Sequence, residues 1–171
     1  MKVFVCFLLF FQFMDPPVHP VDVPGVKEIR SLYNQSVTSR DAAMRLQQSL
    51  LRVDGDDDPL MVCYQGVAEM IQAKYVFSPI SKIRSFKKGK ALIEQAISRD
   101  VDGVEIRYLR FTIQTNLPRF LGYYNEVELD KKFLIAKTAA LDDKQLKQQI
   151  IDYLSASVYC TDIEKKQIKV L

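Results

Sequence analysis

The sequence predicts an all-α protein of seven to eight helices, stacked as antiparallel hairpins. Apolar side chains recur three and four residues apart, the spacing that places them on one face of a helix. The chain has only 6 Gly and 7 Pro, and four of those prolines lie before residue 25, so few residues interrupt helices in the remainder. With 171 residues, 48% of them hydrophobic, the chain can bury one core, and a single domain over residues 26–171 is expected.

Two helices joined by a short turn are predicted between Ser85 and Phe111. The first helix carries a helically spaced apolar set, namely Phe86, Leu92, Ile93, Ala96 and Ile97. A polar break at residues 99–103 follows, and a second apolar set begins, namely Val104, Ile106, Tyr108, Leu109 and Ile113. Such a pair is an αα-hairpin, the unit from which helical-repeat proteins are built.

Residues that start or stop helices define the other elements before residue 100. Helix one is predicted at Val26–Val37, and Ser39 is expected to cap helix two, with Leu51 among its inward side chains. Asp58-Pro59 starts helix three, because proline suits the first helical position. Helix four is predicted at about Ser81–Arg99.

The later helices are predicted from capping residues and apolar spacing. Helix five ends at about Asn116, and helix six covers Glu126 to about Ala139. Helix seven and a short closing helix follow. The predicted N-terminal caps are Asp102 with Glu105 in a capping box, Asn125, Asp142 or Asp143, and Thr161 with Glu164 in a second capping box.

The N-terminus has the pattern of an export signal. Residues 1–14 contain one lysine followed by an apolar run that is too short to span a bilayer but fits a signal segment. Residues 15–25 read as a proline-rich linker. The protein is therefore expected to be exported, periplasmic or secreted, in a bacterial envelope. The alternative is a buried N-terminal helix or strand.

The residue types needed for common metal, cofactor and nucleophilic sites are scarce. The single histidine is His19, in the linker, and the chain has no phosphate-binding glycine motif. The acidic stretch at residues 54–58 lacks the glycine and glutamate of a calcium loop, because Pro59 and Gln65 occupy those positions. No metal or cofactor is expected. Cys63 and Cys160 are predicted to be two separate buried thiols, with a disulfide as the alternative.

The net charge of the chain and one basic run indicate which classes of partner to expect. A net charge of +3 is too mild to indicate a nucleic-acid partner. One basic run is a candidate for contact with phosphate, an acidic protein or an anionic lipid surface, and a solvated helix face is its alternative. Its members are Lys82, Arg84, Lys87, Lys88 and Lys90.

Aromatic and arginine side chains supply the candidate partner-binding surface, since both residue types are common at interfaces. Burial beneath the helices is the alternative for the aromatic connection after helix five. The candidates are Tyr64, Arg107, Tyr108, Arg110, Arg119, Phe120, Tyr123 and Tyr124. A paired-carboxylate site drawn from Glu105, Glu126, Glu128 and Asp130 is the catalytic alternative. Exposed helix-face charges are the simpler interpretation of Glu126, Asp130 and Lys131.

Helices three to five resemble a tetratricopeptide-like repeat, a helix-turn-helix unit of about 34 residues. The resemblance rests on Gly66 in the first helix and on Gly89, Ile93 and Ala96 in the second. It implies a right-handed superhelical stack of hairpins that serves as a binding scaffold, and it implies no catalytic residue.

The expected function is therefore a non-catalytic scaffold that binds a protein partner. Two alternatives remain at this level. One is a small helical ligand carrier or enzyme with a pocket between helices, and the other is an envelope-associated protein that contacts lipid.

Overall fold

The structure, a computed structural model, describes residues 25–171 and places eight α-helices and no strand in them. This confirms the predicted all-α class for that part of the chain. The helices are α1 (Val26–Ser36), α2 (Arg40–Ser49), α3 (Pro59–Gln72), α4 (Pro79–Arg99), α5 (Val104–Asn116), α6 (Val127–Lys137), α7 (Lys144–Ala156) and α8 (Asp162–Ile168). The predicted signal segment, residues 1–14, and all of the predicted linker but Gly25 lie outside the described residues.

Most of the predicted N-terminal caps are confirmed. Ser39 Oγ accepts a hydrogen bond from the amide of Ala42 at 3.3 Å, and Asp58 accepts from two amides in the first turn of α3. Asp143 caps α7, and Thr161 caps α8 in the predicted capping box. Local side-chain chemistry therefore explains where these four helices begin.

The predicted capping box of α5 is wrong. Gly103 is the N-cap residue, and no side chain caps the helix. The side chain of Glu105 instead turns inward and accepts hydrogen bonds from Arg30. A buried arginine provides a stronger partner than a backbone amide at a helix end, so the tertiary contact overrides the local one.

Three other details differ from prediction. Helix α4 begins at Pro79, two residues early, because Ser78 caps it. Helix α6 begins at Val127 without a side-chain cap from Asn125, and a 3-10 turn at Thr138–Ala140 follows it. Leu51, predicted to face inward, is 70% exposed, because α2 ends at Ser49 and Leu51 lies in the turn that follows.

The interior consists of two hydrophobic clusters that meet at α5. Ile106 and Leu109 belong to the first cluster, together with residues of α1 to α4. Tyr108 and Phe111 belong to the second, together with residues of α6 to α8. Helix α5 is therefore buried on opposite faces and joins the two halves of the core.

Two glycines allow α3 and α4 to cross at very short range. A Cβ atom on Gly66 would lie 2.7 Å from the carbonyl oxygen of Gly89. A Cβ atom on Gly89 would lie 2.5 Å from the carbonyl oxygen of Gly66 and 2.6 Å from Cγ of Met70. Because the nearest opposing atom at each glycine is a backbone carbonyl oxygen, no side-chain rotation can relieve both contacts.

Gly89→Ala is therefore expected to destabilise the protein by about 1–3 kcal/mol, the usual cost of overpacking. At an open helical position the same change would stabilise by about 1 kcal/mol, so the sign of the effect is diagnostic. The measurement is urea unfolding followed by circular dichroism. Lys87→Ala, at an exposed site on the same helix, serves as the control. A gain in stability for Gly89→Ala would show that the two helices separate without cost.

Glu164 links the cap of α8 to a buried lysine of α6. Its carboxylate accepts a hydrogen bond from the amide of Thr161 at 2.7 Å and pairs with Nζ of Lys131 at 3.0 Å. The bond from the Thr161 amide, helped by Lys131, lowers the pKa of Glu164 from 4.5 to about 2. The ionised carboxylate is therefore part of the folded structure.

A lowered folded-state pKa stabilises the protein above the unfolded-state pKa, and the stabilisation is lost as the pH falls through the folded-state value. For Glu164 this loss is expected between pH 4.5 and about 2. We expect Glu164→Gln to remove part of the difference in unfolding free energy between pH 6 and the acid range, measured by urea titration at each pH. Glu28→Gln, at an exposed site in the first turn of α1, is the control. An unchanged pH profile for Glu164→Gln would contradict the role of this contact.

Candidate functional site: an apolar groove

An apolar groove of about 800 Å³ lies where α1, α3 and α5 end and α4 begins. Antiparallel packing brings the end of α3 and the start of α4 to the same side of the molecule. The first ten residues of α4, 79–88, include no buried residue, and Phe86 is the side chain of this half that packs against the first cluster. Four residues of this half line the groove, namely Pro79, Lys82, Ile83 and Phe86. The apolar lining includes Val37, Met70, Ile71, Ile83, Phe86, Ile113, Leu117, Phe120 and Leu121.

Large apolar side chains are exposed in and beside this groove. Phe120 is 86% exposed, and Val37 and Ile83 are each 50% exposed within it. Outside the groove lining, Ile80, at the start of α4, is 73% exposed, and Phe77, just before that helix, is 98% exposed. Large apolar side chains are therefore exposed at this end of α4 both in the groove and near it in the chain.

The charged side chains that line the groove are both lysines, Lys74 and Lys82. Nζ of Lys74 donates to the carbonyl oxygen of Val37 at 2.7 Å, at the C-terminal end of α1. Lys82 is exposed and forms no ion pair among residues 25–171. The groove is thus apolar at its base and positively charged at its edge.

The polar groups in the groove already have partners. The hydroxyls of Tyr33 and Thr112 are 2.8 Å apart, and Nδ2 of Asn116 donates to the carbonyl oxygen of Thr112 at 2.8 Å. Burial raises the pKa of Tyr33 to about 12, so its phenol stays protonated near neutral pH. The bond between Tyr33 and Thr112 joins α1 to α5 beneath the groove.

Four predicted partner-binding residues lie in the interior, and their assignment to an exposed surface is wrong. Tyr64 is fully buried and donates to Oε1 of Glu105 at 2.5 Å. Tyr108 packs against Tyr153 in the second cluster. Two others, Arg110 and Tyr123, are 3% and 5% exposed. Arg110 donates to the buried carboxylate of Asp130, and Tyr123 donates to Glu94.

The remaining predicted residues are dispersed. Arg107 is partly buried and donates to Oδ1 of Asp130 at 3.0 Å. Arg119 and Tyr124 are exposed, and the guanidinium lies 5.8 Å from the ring centroid. Phe120 is the predicted partner-binding residue that the structure places in the groove.

The basic run does not form one surface. Lys82 lines the groove, whereas Lys88 pairs with Glu69 of α3 at 2.5 Å. Nζ of Lys90 lies 4.9 Å from the centroid of the Tyr123 ring. The two other members, Arg84 and Lys87, are exposed on the same helix. Of the five residues in the basic run, only Lys82 therefore lines the groove.

Two buried ion networks were not predicted from the sequence. In the first, Glu105 accepts from Arg30 at 2.7 and 2.8 Å, and Arg30 also donates to Asp143 at 2.9 Å. In the second, Asp130 accepts from Arg110 at 2.6 and 2.7 Å as well as from Arg107. Asp130 and Lys131 are both buried, so their interpretation as exposed charges is wrong.

The apolar spacing of α6 indicates that Asp130, a member of the second network, is buried. Asp130 follows Val127 by three residues and precedes Leu134 by four, so it shares the buried face of the helix. No equivalent pattern identifies its partners, because Arg110 lies twenty positions earlier in the chain. Glu105 and Asp130 thus lie in two separate networks, and each accepts hydrogen bonds from a buried arginine.

The two cysteines of the described region lie in different clusters. Cys63 packs in the first cluster and Cys160 in the second, and both are unpaired thiols. The prediction of two separate buried thiols is therefore confirmed. Burial raises the pKa of each thiol, which makes both poor nucleophiles.

The fold and the groove together define an all-α protein with an open apolar site at one end of its helices. Among residues 25–171, no helix has the length and hydropathy required to cross a bilayer. In the same region, His, Cys, Asp and Glu side chains form no group of three that is suited to hold a metal ion. No family model, curated protein or solved structure matches the chain. The resemblance to tetratricopeptide-like repeats remains a prediction.

Proposed function

We propose that this protein is a non-catalytic scaffold whose apolar groove binds an amphipathic helix of a partner protein. The observation that carries this proposal is the groove between α1, α3, α4 and α5, with exposed apolar side chains along it. Helix-in-groove recognition uses apolar anchors at positions i, i+3, i+4 and i+7 of the bound helix.

The extent of the apolar surface favours a macromolecule over a small ligand. A volume of about 800 Å³ is within the range of small-molecule sites. However, Phe77 and Ile80 are exposed outside the groove, and a small molecule within it would leave them in water. A helix laid along the groove and past its end covers both side chains.

Charge defines the kind of helix that fits. Lys74 and Lys82 flank the apolar base, and the sequence contains no acidic residue between Ser78 and Ile93. A partner helix with Asp or Glu beside its apolar stripe complements this edge, whereas one with lysines is repelled. We therefore assign the groove to an acidic amphipathic helix.

The exported, periplasmic or secreted setting belongs to the same proposal and is supported by the N-terminal sequence pattern. Cell fractionation of the full-length protein, with N-terminal sequencing of the product, tests it. Recovery of the protein from the cytoplasm with residues 1–14 still attached would contradict the export proposal. It would not bear on peptide binding in the groove.

The binding proposal is tested with designed peptides of about 18 residues, long enough to span roughly 27 Å as a helix. One fluorescein-labelled peptide carries a leucine stripe flanked by glutamates, and a second carries lysines in their place. Binding is measured by fluorescence anisotropy. We expect the acidic peptide to bind more tightly than the basic one, with the preference reduced at high salt.

Variants locate the binding surface. Phe120→Asp is expected to weaken binding of the acidic peptide about tenfold or more, which is typical of the loss of an interface anchor. Lys82→Glu is expected to reduce or reverse the charge preference. Val158→Asp, at a site 90% exposed between α7 and α8, is the matched control. Equal binding by Phe120→Asp and wild type, or tight groove binding by a fatty acid with no peptide binding, would overturn the proposal; the latter would favour a ligand carrier.

A further inference from the structure

The chain carries an apolar segment of its own, residues 3–13, before the region that the structure describes. Its sequence is VFVCFLLFFQF, which is apolar at every position except Gln12 and contains five phenylalanines. Large apolar side chains gain free energy when they leave water. Wherever this N-terminal apolar segment stays attached to the protein, an apolar surface that covers it is therefore favourable.

The apolar groove is a surface of matching chemistry within residues 25–171. Ile83 and Phe120 line it and are 50% and 86% exposed, so apolar area is available there for an occupant. An apolar segment seated in the groove removes both surfaces from water at once. The groove and the N-terminal apolar segment therefore suit each other in chemistry.

The connection between this segment and α1 is long enough to reach the groove. Gly25 precedes α1, and nothing described lies within 4 Å of the position that its Cβ atom would take, so the space beside it is open. Val37, directly after α1, lines the groove, and the 11 residues of α1 span about 16 Å. Residues 14–24 reach about 34 Å at the roughly 3.1 Å per residue of a proline-rich chain. This is about twice the length of α1.

The charges of the connection also fit the groove. Residues 14–24 contain Asp15 and Asp22 and neither lysine nor arginine. The charged side chains of the groove are Lys74 and Lys82, and Lys82 forms no ion pair among residues 25–171. Because Asp15 follows the apolar segment by two residues, a segment in the groove brings a carboxylate towards this basic edge.

We propose that the N-terminal apolar segment occupies the groove of its own chain and competes with the partner helix for it. The inference rests on the proposed function, because it takes the groove as the partner's binding site, and it adds a means of regulation. A tethered segment acts at an effective concentration on the order of millimolar, which a free partner has to overcome. Removal of residues 1–14 on export opens the groove.

The thiol of Cys6, within the segment, allows a direct test by disulfide trapping in the full chain. Ile83→Cys places a second thiol in the groove, whereas Cys63 and Cys160 are buried. After mild oxidation with diamide, mass spectrometry of tryptic peptides is expected to show an intramolecular disulfide between Cys6 and the introduced thiol. Val158→Cys, at a site 90% exposed outside the groove, is the matched control and is expected to react at least about tenfold more slowly.

Two results of the trapping experiment would overturn the inference. One is equal trapping, or none, for Ile83→Cys and Val158→Cys. The other is a disulfide-linked dimer of Ile83→Cys, because the groove would then hold the segment of a second copy. Neither result depends on peptide binding, so failure of this inference is distinguishable from failure of the proposed function.

Competition with the acidic peptide tests the regulatory part. Leu8→Ser/Phe10→Ser in the full chain weakens the tethered segment, so it is expected to tighten peptide binding about tenfold or more. Val18→Ser/Val23→Ser, in the connection, is the matched control and is expected to leave the affinity unchanged. Equal peptide affinity for the two variants would overturn the regulation. Trapping at Ile83→Cys without peptide binding by any form would support the inferred occupant and contradict the proposed partner.

Discussion

Asp130→Ala is expected to lower the free energy of unfolding by about 3–5 kcal/mol, the usual cost of removing one partner from a buried ion pair. The carboxylate of Asp130 is fully buried and accepts two hydrogen bonds from Arg110 and one from Arg107. Its loss leaves Arg110, itself 3% exposed, with Glu94 as its remaining acidic partner. Urea unfolding followed by circular dichroism measures the effect.

The matched control is Asp102→Ala. Asp102 also pairs across to α6, with Lys137 at 3.6 Å, but its side chain is 77% exposed. Such surface pairs contribute about 0–1 kcal/mol, so a small change is expected. The double variant Arg110→Met/Asp130→Leu is expected to recover part of the stability, because it also removes the buried guanidinium that Asp130→Ala leaves with only the partly exposed Glu94. Similar losses for Asp130→Ala and Asp102→Ala would contradict a structural role for this network.

Glu105→Ala is the second change expected to cost about 3–5 kcal/mol. Glu105 accepts hydrogen bonds from Arg30 of α1 and from Tyr64 of α3, and Arg30 continues to Asp143 at the start of α7. Removing the carboxylate leaves a buried guanidinium with one remaining acidic partner and a buried phenol with none. The measurement is the same urea titration.

This prediction distinguishes two roles for an acidic residue in the first turn of a helix. Glu28 occupies the first turn of α1 and is exposed, so Glu28→Ala is expected to lose only about 0.3–1 kcal/mol of favourable interaction with the helix dipole. Tyr64→Phe is expected to cost less than Glu105→Ala, because it removes one neutral donor to the carboxylate. If Glu105→Ala costs no more than Glu28→Ala, Glu105 acts as a local helix residue and the buried network contributes no stability.

These two carboxylates show why part of the fold was predictable and part was not. The caps at Ser39, Asp58 and Thr161 depend on hydrogen bonds to backbone amides two or three residues away, so a short stretch of sequence contains all the information. Glu105 had an equally plausible local partner in its own helix start. Its carboxylate instead accepts hydrogen bonds from Arg30, which lies 75 residues earlier in the chain.

The candidate site was less predictable than the helices. The groove is built from the ends of α1, α3 and α5 and from the start of α4, so it exists only once these four helices are packed together. Phe120 was identified from the aromatic connection, whereas Val37 and Lys74 were not, since nothing local distinguishes them from other surface residues.

The sequence by itself determined the helical class and most helix starts, because these depend on spacing and on contacts within a few residues. Only the tertiary structure decided which charges are buried, where the two clusters meet on α5 and where apolar surface remains exposed. The physical reason is that a buried charge or an open groove requires several helices to converge. Their relative placement is set by packing, such as the Gly66–Gly89 crossing, which no single helix specifies.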